Sequence, residues 1–236
     1  MITNAILLEN IKNIYRKISS AAIRSGRSPF DVKLIAATKT VDALKIQEAA
    51  GLGLRVFGEN RVQEAMGKIS RLRAHLPDCD IEWHMIGRLQ KNKAKTAVQL
   101  FDLIQSVDSE GLAAEINRHA EKLGEVQRVL IQVKLSPEEE SKSGVPEEGL
   151  MQLLREVSGM KHLSVDGLMT MPPFFEDPGM ARPYFKRLRE LRDAAQEEGY
   201  RLPELSMGMT HDFEAAILEG ATMVRIGTGI FGERNR

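Results

Sequence analysis

The sequence predicts an α/β protein whose chain forms a single (β/α)8 barrel with an extra N-terminal helix. Three observations carry this prediction: eight apolar, often β-branched runs, a stretch with helical periodicity after most of them, and a length of 236 residues. Strands that alternate with helices form parallel sheets, and this length suits a complete barrel. An open doubly wound sheet is the alternative, and it is less favoured because a closed barrel leaves no exposed edge strand.

The N-terminal helix is predicted by four apolar residues at spacings of 4, 3 and 4, which are Leu7, Ile11, Ile14 and Ile18. These spacings place all four on one helical face. The helix is expected to end near Gly26, and residues 1–26 are expected to pack on the barrel. Because the alternation of strands and helices continues without a linker, residues 1–236 are expected to form one domain.

The eight strands are predicted at the apolar runs. They are Val32–Ala37, Leu54–Phe57, Ile81–Ile86, Leu103–Val107, Val129–Leu135, Val165–Met171, Glu204–Met207 and Thr222–Ile226. The helical stretches that follow are Ala43–Ala50, Val62–Leu72, Gly111–Leu123, Leu150–Val157, Met180–Ala195 and Phe213–Leu218. Leu89–Val98 is a weaker helix prediction, because the stretch is polar.

The composition argues against several classes of partner. The chain has 33 Lys plus Arg against 33 Asp plus Glu, so its formal net charge is zero. This balance argues against a protein that binds nucleic acid or acidic lipid. The single cysteine, Cys79, cannot form an internal disulfide, which favours a reducing compartment. With no signal peptide and no apolar run of about 18 residues, the chain is expected to be cytoplasmic and not membrane-bound.

Lys39 is the strongest candidate for a chemically reactive residue. In a barrel of this type, functional groups collect at the C-terminal ends of the strands. Lys39 follows the apolar residues 34–37, so its amine is expected near a buried barrel mouth. Desolvation lowers the pKa of a lysine and frees its amine for Schiff-base chemistry. The alternative is a lysine whose stem lies on the rim while its ammonium group reaches solvent.

The ends of the seventh and eighth predicted strands are rich in Gly, Ser and Thr. They are the segments Ser206–Thr210 and Arg225–Gly229. Small residues let backbone N–H groups approach an anion, and barrels often hold phosphate after these two strands. The alternative is that the glycines only permit tight turns. A Schiff-base lysine beside a phosphate site indicates pyridoxal 5′-phosphate (PLP), and it also fits a Schiff-base aldolase that acts on a sugar phosphate.

Two other groups of residues give weaker signals. The five histidines show no metal-ligand spacing, so no metal site is expected. A basic stretch is formed by Arg88, Lys91, Lys93 and Lys95. For this stretch a solvated helix face is favoured over an anion contact.

Seven segments resemble the pyridoxal phosphate homeostasis family. They are ATKT around Lys39, FGENRVQE at Phe57–Glu64, WHMIGRLQKNK at Trp83–Lys93, SKSG at Ser141–Gly144, GLMTM at Gly167–Met171, SMGMTHDFEAAI at Ser206–Ile217 and VRIGTGIFGER at Val224–Arg234. The resemblance covers essentially the whole chain, in order. It implies the barrel of PLP fold type III, similar to the N-terminal domain of alanine racemase. It also implies a protein that holds PLP as a Schiff base, a covalent aldimine on Lys39, and that buffers or delivers the cofactor.

The resemblance also implies roles for individual residues. Lys39 would bond to PLP, and Arg225 would face the pyridine nitrogen. The implied phosphate contacts are Ser206, Thr210, Gly227 and Thr228. The implied pocket-lining residues are Asn60, His84 and Met207. Met85 and Arg61 stand where the family often has Phe and Tyr, and neither departure changes the cofactor assignment.

Catalysis by the bound cofactor is not expected. An arginine at the pyridine nitrogen only donates hydrogen bonds, so it weakens PLP as an electron sink. Racemisation needs a base on each face of the cofactor, but Tyr15, Tyr184 and Tyr200 fall in or beside outer helices. Only seven residues follow Gly229, where alanine racemase continues into a second domain. We therefore expect a monomeric PLP carrier with transient apo-enzyme partners; a PLP-dependent racemase or lyase of unknown substrate is the alternative.

Overall fold

Eight parallel strands close into a barrel. The computed structural model describes residues 4–76, 79–136 and 143–233. The strands are β1 (Lys33–Ala37), β2 (Val56–Glu59), β3 (Glu82–Met85), β4 (Leu103–Val107), β5 (Gln127–Lys134), β6 (Leu163–Met169), β7 (Glu204–Met209) and β8 (Met223–Ile226). Each strand pairs in parallel with the next, and β8 pairs with β1. The predicted barrel is thereby confirmed, and the open-sheet alternative is wrong because the ring of strands is closed.

A helix follows every barrel strand. After the N-terminal α1 (Asn4–Arg24), the helices are α2 (Ala43–Gly51), α3 (Val62–His75), α4 (Ala94–Leu100), α5 (Glu110–Leu123), α6 (Leu150–Ser158), α7 (Arg182–Glu197), α8 (Phe213–Leu218) and α9 (Thr228–Phe231). The predicted helix at 89–98 begins later than expected, because the 3₁₀ turn Lys91–Lys93 precedes it. A two-residue strand, Val145–Pro146, adds to the end of β5. Within the described ranges, no helix is long and apolar enough to cross a membrane.

The N-terminal helix α1 packs beside α9, which is the last and shortest helix of the barrel. Its predicted apolar face is buried, formed by Leu7, Ile11, Ile14 and Ile18. It contacts α8 and α9, and Asn10 Nδ2 donates a hydrogen bond to the Ile230 carbonyl at 2.9 Å. Because α9 has only four residues, α1 supplies packing that a full eighth helix supplies in a regular barrel. The loop after β8 therefore rests on α1.

Alternate strand residues face two different environments. A small apolar layer lies inside the barrel, formed by Ile35, Leu103, Leu130, Met169 and Met223. The larger outer layer lies between the strands and the helices, where the rings of Phe57 and Trp83 are 5.5 Å apart. Since strand residues alternate in direction, the polar side chains of His84, Gln105 and Arg225 share the interior of the barrel with this layer.

Two strands run further toward the barrel mouth than their apolar runs predict. β2 continues through Gly58 to Glu59, and β7 continues to Met209. Parallel strands pair through backbone groups, so glycine and polar residues can extend them without an apolar side chain. The extensions carry Asn60 and Thr210 to the mouth.

Candidate functional site

Lys39 lies half-buried at the barrel mouth, directly beyond β1. Both of its neighbours in the chain are anchored. Thr38 Oγ1 donates to Glu59 Oε1 at 2.6 Å, and the Thr40 N–H donates to Glu64 Oε1 at 2.7 Å. Thr40 has a φ of 65°, a left-handed conformation that a β-branched residue keeps only where its surroundings hold it. The backbone that carries Lys39 is therefore fixed on both sides.

Lys68 of α3 joins the two anchors. Its Nζ donates to Glu59 Oε1 at 2.8 Å, to Glu64 Oε1 at 2.6 Å and to the Thr38 carbonyl at 2.7 Å. Burial raises the pKa of Glu59, although hydrogen bonds from Lys68 and Thr38 oppose this shift. Burial also acts on Glu64, but the bonds from Lys68 and Thr40 outweigh it and lower the pKa of Glu64. We call Thr38, Thr40, Glu59, Glu64 and Lys68 the Lys68 clamp.

A second group of donors lies in the loops after β7 and β8, next to the end of β1. Thr210 Oγ1 accepts hydrogen bonds from the Gly227 N–H at 3.3 Å and from the Gly229 N–H at 3.4 Å. A Cβ at Gly229 would lie 3.1 Å from Thr210 Cγ2 and 3.2 Å from Ile14 Cδ1. The missing side chain therefore lets both loops and α1 approach closely. Thr228 is exposed at the start of α9. We call Thr210, Gly227, Thr228 and Gly229 the cradle.

Gly208 sets the path of the loop after β7. It has a φ of 92°, and a Cβ there would lie 2.6 Å from Ala216 Cβ. Both the backbone conformation and the close approach require glycine. The Met209 N–H donates to Asp212 Oδ1 at 2.6 Å, which holds the turn that presents Thr210 to the mouth.

Arg225 lies on β8, two residues before the cradle glycines begin, and is only 4% exposed. Its Nη1 donates to Ser206 Oγ at 2.6 Å, and its Nη2 donates to the Thr170 carbonyl at 2.8 Å. Burial lowers the pKa of Arg225 to about 10, with the charge of Asp212 opposing the shift. The guanidinium therefore stays charged at neutral pH. The barrel holds a buried group under its mouth that can donate hydrogen bonds but cannot accept them.

Three polar side chains continue from Arg225 through the interior of the barrel. Ser206 Oγ lies 2.6 Å from Gln105 Oε1, and Gln105 Nε2 lies 2.9 Å from His84 Nδ1. These three side chains are almost completely buried. Burial lowers the pKa of His84, although the carboxylate of Glu82 opposes the shift, so the ring is neutral at pH 7. Gln105 was not among the predicted site residues.

Two predicted site residues have a different place in the structure. Ser206 is expected as a phosphate contact, but its hydroxyl points into the barrel, where Gln105 and Arg225 are its partners. Met207 is expected to line the pocket, but its side chain is fully buried in the outer layer beneath the helices. Successive strand residues face opposite sides, so an inward Ser206 turns Met207 outward. The structure thus gives these side chains partners other than those expected, and the ligand contacts of both residues stay predictions.

The other predicted residues lie at the mouth or beneath it. The ends of β1, β7 and β8 bring together Lys39, Thr210, Gly227 and Thr228. Asn60 is half-buried just beyond β2. His84 is buried inside the barrel below them. The contacts of these residues with a ligand stay predictions.

A cavity of about 700 Å³ opens at the ends of β2, β3 and β4. Its wall includes Asn60, the acidic Asp108 and four cationic residues, which are Arg61, Arg88, Lys91 and Lys93. We call it the basic cavity. Lys95 is not part of its wall. Lys91 and Lys93 thus lie in a turn on a concave surface, whereas the sequence favours a solvated helix face for this stretch.

The chain is similar to the N-terminal domain of alanine racemase and to pyridoxal phosphate homeostasis proteins. Residues 6–235 match the family described as "Alanine racemase, N-terminal domain". A pyridoxal phosphate homeostasis protein from Aquifex aeolicus is 48% identical over 227 residues, which cover 96% of this chain and 97% of that protein. The chain belongs to the pyridoxal phosphate homeostasis protein family. The family member from Escherichia coli is 39% identical over 232 residues, which cover 97% of each protein.

The solved structures that are similar to this chain include one with PLP bound. PipY from Synechococcus elongatus PCC7942, solved with PLP bound, has a TM-score of 0.80 at 40% identity, covering 93% of this chain and 100% of that one. An alanine racemase from Clostridium difficile 630 has a TM-score of 0.69 at 17% identity, with 97% of this chain and 58% of that one covered, and it shares the fold alone. Of the segments that resemble the homeostasis family, Ser141, Lys142 and Arg234 lie outside the described residues.

Proposed function

We propose that this chain binds PLP and takes part in PLP homeostasis, by buffering or delivering the cofactor without catalysing a reaction. One observation carries the proposal: Lys39, the cradle and the buried Arg225 converge at one edge of the barrel mouth. They supply an amine for the aldehyde, fixed donors for the phosphate and a cation for the ring nitrogen. The relatives' name and the PLP bound to PipY support this choice of ligand.

Lys39 supplies reversible covalent capture. Its amine attacks the aldehyde carbon of PLP, a C=N bond replaces the C=O bond, and the oxygen leaves as water. The Lys68 clamp fixes the backbone on both sides of Lys39, so little backbone freedom is lost when the bond forms. Hydrolysis reverses the same step, which suits a protein that stores the cofactor.

The cradle supplies the hydrogen-bond donors that hold the phosphate group. The N–H groups of Gly227 and Gly229 meet at Thr210 Oγ1, and such converging donors favour an anion. A phosphate oxygen that takes the place of Thr210 Oγ1 as acceptor would leave the threonine hydroxyl as a third donor. Thr228 adds a donor at the exposed edge of the same loop.

Arg225 explains why binding need not lead to catalysis. A guanidinium can only donate, so a ring nitrogen that faces it must accept and is therefore unprotonated. This weakens the cofactor as an electron sink. Among the chain's tyrosines, Tyr15 lies on α1, Tyr184 lies on α7 and Tyr200 follows α7, so all three belong to the outer helical layer and none ends a barrel strand. These features support a carrier rather than a racemase.

In the cell, we propose a cytoplasmic monomer that passes PLP to apo-enzymes during transient contact. The free Cys79 fits a reducing compartment. Direct delivery is measured as the rate of apo-enzyme activation with the two proteins mixed or separated by a membrane that passes only small molecules. Faster activation in the mixture supports delivery, and equal rates would restrict the protein to buffering.

The proposed function is tested by titration with PLP, followed by absorbance of the bound cofactor. Wild type should bind PLP with the band of a lysine imine, and Lys39→Ala should lose that band. Lys134→Ala is the matched control, because Lys134 also ends a barrel strand, and it should behave as wild type. Absence of binding by wild type, or an unchanged band in Lys39→Ala, contradicts the proposal. Exchange of an amino acid's α-proton with solvent at useful turnover would instead establish a racemase or lyase.

A further inference from the structure

Five polar side chains form one continuous path through the barrel interior, in the order Arg225, Ser206, Gln105, His84 and Glu82. The contacts along it measure 2.6, 2.6, 2.9 and 2.9 Å. The path starts beneath the cradle and ends at Glu82, the first residue of β3. Glu82 therefore lies at the floor of the barrel, which is the end opposite the mouth. We call it the interior chain.

The direction of hydrogen bonding is fixed at the Arg225 end of the interior chain. A guanidinium only donates, so Ser206 Oγ must accept from it. The Ser206 proton then needs an acceptor of its own, and Gln105 Oε1 lies 2.6 Å away. An amide turned the other way would leave Ser206 facing two donors. The carbonyl oxygen of Gln105 therefore faces Ser206.

The floor of the barrel fixes the same direction independently. Glu82 pairs with Lys33 Nζ at 2.9 Å and with Arg128 Nη1 at 3.1 Å, so it is ionised and can only accept. His84 Nε2 lies 2.9 Å from Glu82 Oε1. This contact is not a full hydrogen bond in the structure, yet an unprotonated Nε2 would be repelled by the carboxylate. Since His84 is neutral, the proton on Nε2 leaves Nδ1 as the acceptor for Gln105 Nε2.

Both constraints meet at Gln105, and a glutamine satisfies both. Its carbonyl accepts from Ser206, its amide donates to His84, and the amide also lies 3.8 Å from Met223 Sδ, a weak acceptor. Leucine can do neither, although it has a similar volume. Glutamate can accept from Ser206, but it presents a second acceptor to His84 Nδ1.

We propose that Gln105 is a positioning residue, which fixes the Arg225 guanidinium through Ser206 and thereby sets the hydrogen bond to the ring nitrogen of PLP. The second half of this statement rests on the proposed function, and the first half concerns the protein alone. Without Gln105, the Ser206 hydroxyl can rotate, and the remaining fixed partner of the guanidinium is the Thr170 carbonyl. Two anchors at separate nitrogens define an orientation that one anchor does not.

The ligand-free protein gives the first test, by ¹⁵N NMR of histidine and arginine side chains. Wild type should show His84 as the neutral Nε2–H tautomer and a guanidinium of Arg225 that exchanges slowly with water. Gln105→Leu should speed that exchange by about tenfold, the loss of roughly one hydrogen bond. Ser206→Ala breaks the same contact from its other side, and the double variant should show no additional effect.

A buried glutamine outside the interior chain provides the matched control. Gln127 donates to the Phe101 and Asp102 carbonyls, and Gln127→Leu should leave the Arg225 signal unchanged. Circular dichroism and the melting temperature show whether each variant is folded. An Nδ1–H tautomer in wild type, or an unchanged Arg225 signal in both folded Gln105→Leu and folded Ser206→Ala, overturns the proposal.

The second test uses PLP labelled with ¹⁵N in the ring. Gln105→Leu should weaken PLP binding about tenfold and move the ring-nitrogen resonance, whereas Gln127→Leu should do neither. Gln105→Glu places a carboxylate near Arg225 and should move the resonance toward that of a protonated ring. An identical ring resonance in wild type and Gln105→Leu overturns the positioning role. If wild type binds no PLP, the proposed function fails, and the ligand-free spectra still decide whether Gln105 orients Arg225.

Discussion

The two sides of the barrel mouth offer different groups to an anion. On the side of β7, β8 and β1, the donors are few and fixed: two backbone N–H groups meet Thr210, and Arg225 is buried beneath them. On the side of β2, β3 and β4, the basic cavity holds four cationic side chains, of which three are exposed. An exposed cation is already well solvated, and its long side chain loses freedom when it binds. From this comparison we predict that anion binding at the mouth depends on preorganised donors more than on the number of charges.

The largest effect is expected at Gly229, the tightest point of the cradle. Gly229→Ala places a Cβ 3.1–3.2 Å from Thr210 and Ile14, so either the loop or α1 must shift. We expect PLP affinity to fall more than about tenfold, measured by fluorescence titration. Gly67→Ala is the control, because its Cβ meets nothing within 4 Å, and helix propensity should raise stability by about 1 kcal/mol. Unchanged affinity in Gly229→Ala would show that the cradle is not a phosphate site.

The next effect is expected at Thr210, where shape and hydrogen bonding can be separated. Thr210→Val keeps the shape but removes the hydroxyl, and should weaken PLP binding about tenfold. Thr210→Ser keeps the hydroxyl and should bind within about threefold of wild type by the same argument. The measurement is the dissociation constant from the same titration. Equal losses in both variants would mean that Thr210 acts through packing alone.

A smaller effect is expected in the Lys68 clamp, and it depends on pH. The pKa of Glu64 is lowered in the folded protein, so its bonds stabilise the fold above its ordinary value of 4.5. This contribution is lost as the pH falls through the lowered pKa. Glu64→Gln should reduce the free energy of unfolding at pH 7 by about 1 kcal/mol, and the difference from wild type should shrink below pH 4.5. Denaturant unfolding at several pH values measures it, and a difference that does not change with pH contradicts the assignment.

The smallest effect is expected on the basic side of the mouth. The double substitution Lys91→Gln and Lys93→Gln removes two charges from the basic cavity, and PLP affinity should change by less than about twofold. Titration at low and high salt measures this effect. A loss as large as that of Thr210→Val would mean that charge density matters more than fixed donors.

The fold could be predicted from hydrophobic periodicity, because the strands and helices bury apolar faces against each other. The order of the strands followed from their alternation with helices. Lys39 and the loops of the cradle could also be predicted, since the parallel strands of a barrel all end at one face. Ser206 and Met207 show what the sequence could not predict, which is the direction of each side chain. Which of two neighbouring strand residues faces inward depends on the phase of the strand, and the glycine beside this short run obscures the phase.

The interior chain and the Lys68 clamp depend on contacts that no local pattern reveals. Gln105 lies within the apolar run Leu103–Val107, and its partner Ser206 is 101 positions away. In the clamp, Glu64 and Lys68 have the spacing of a helical ion pair. The burial of Glu59 beside them has no sequence signal, because it depends on how α3 packs on β1 and β2.

The most direct test of the central claim is reduction of the PLP-loaded protein with borohydride, followed by peptide mapping with mass spectrometry. A fixed site beside the cradle predicts one reduced adduct per chain, located on Lys39 and absent from Lys39→Ala. Bound PLP that leaves no adduct, or an adduct spread over Lys91, Lys93 and further lysines, would contradict the claim.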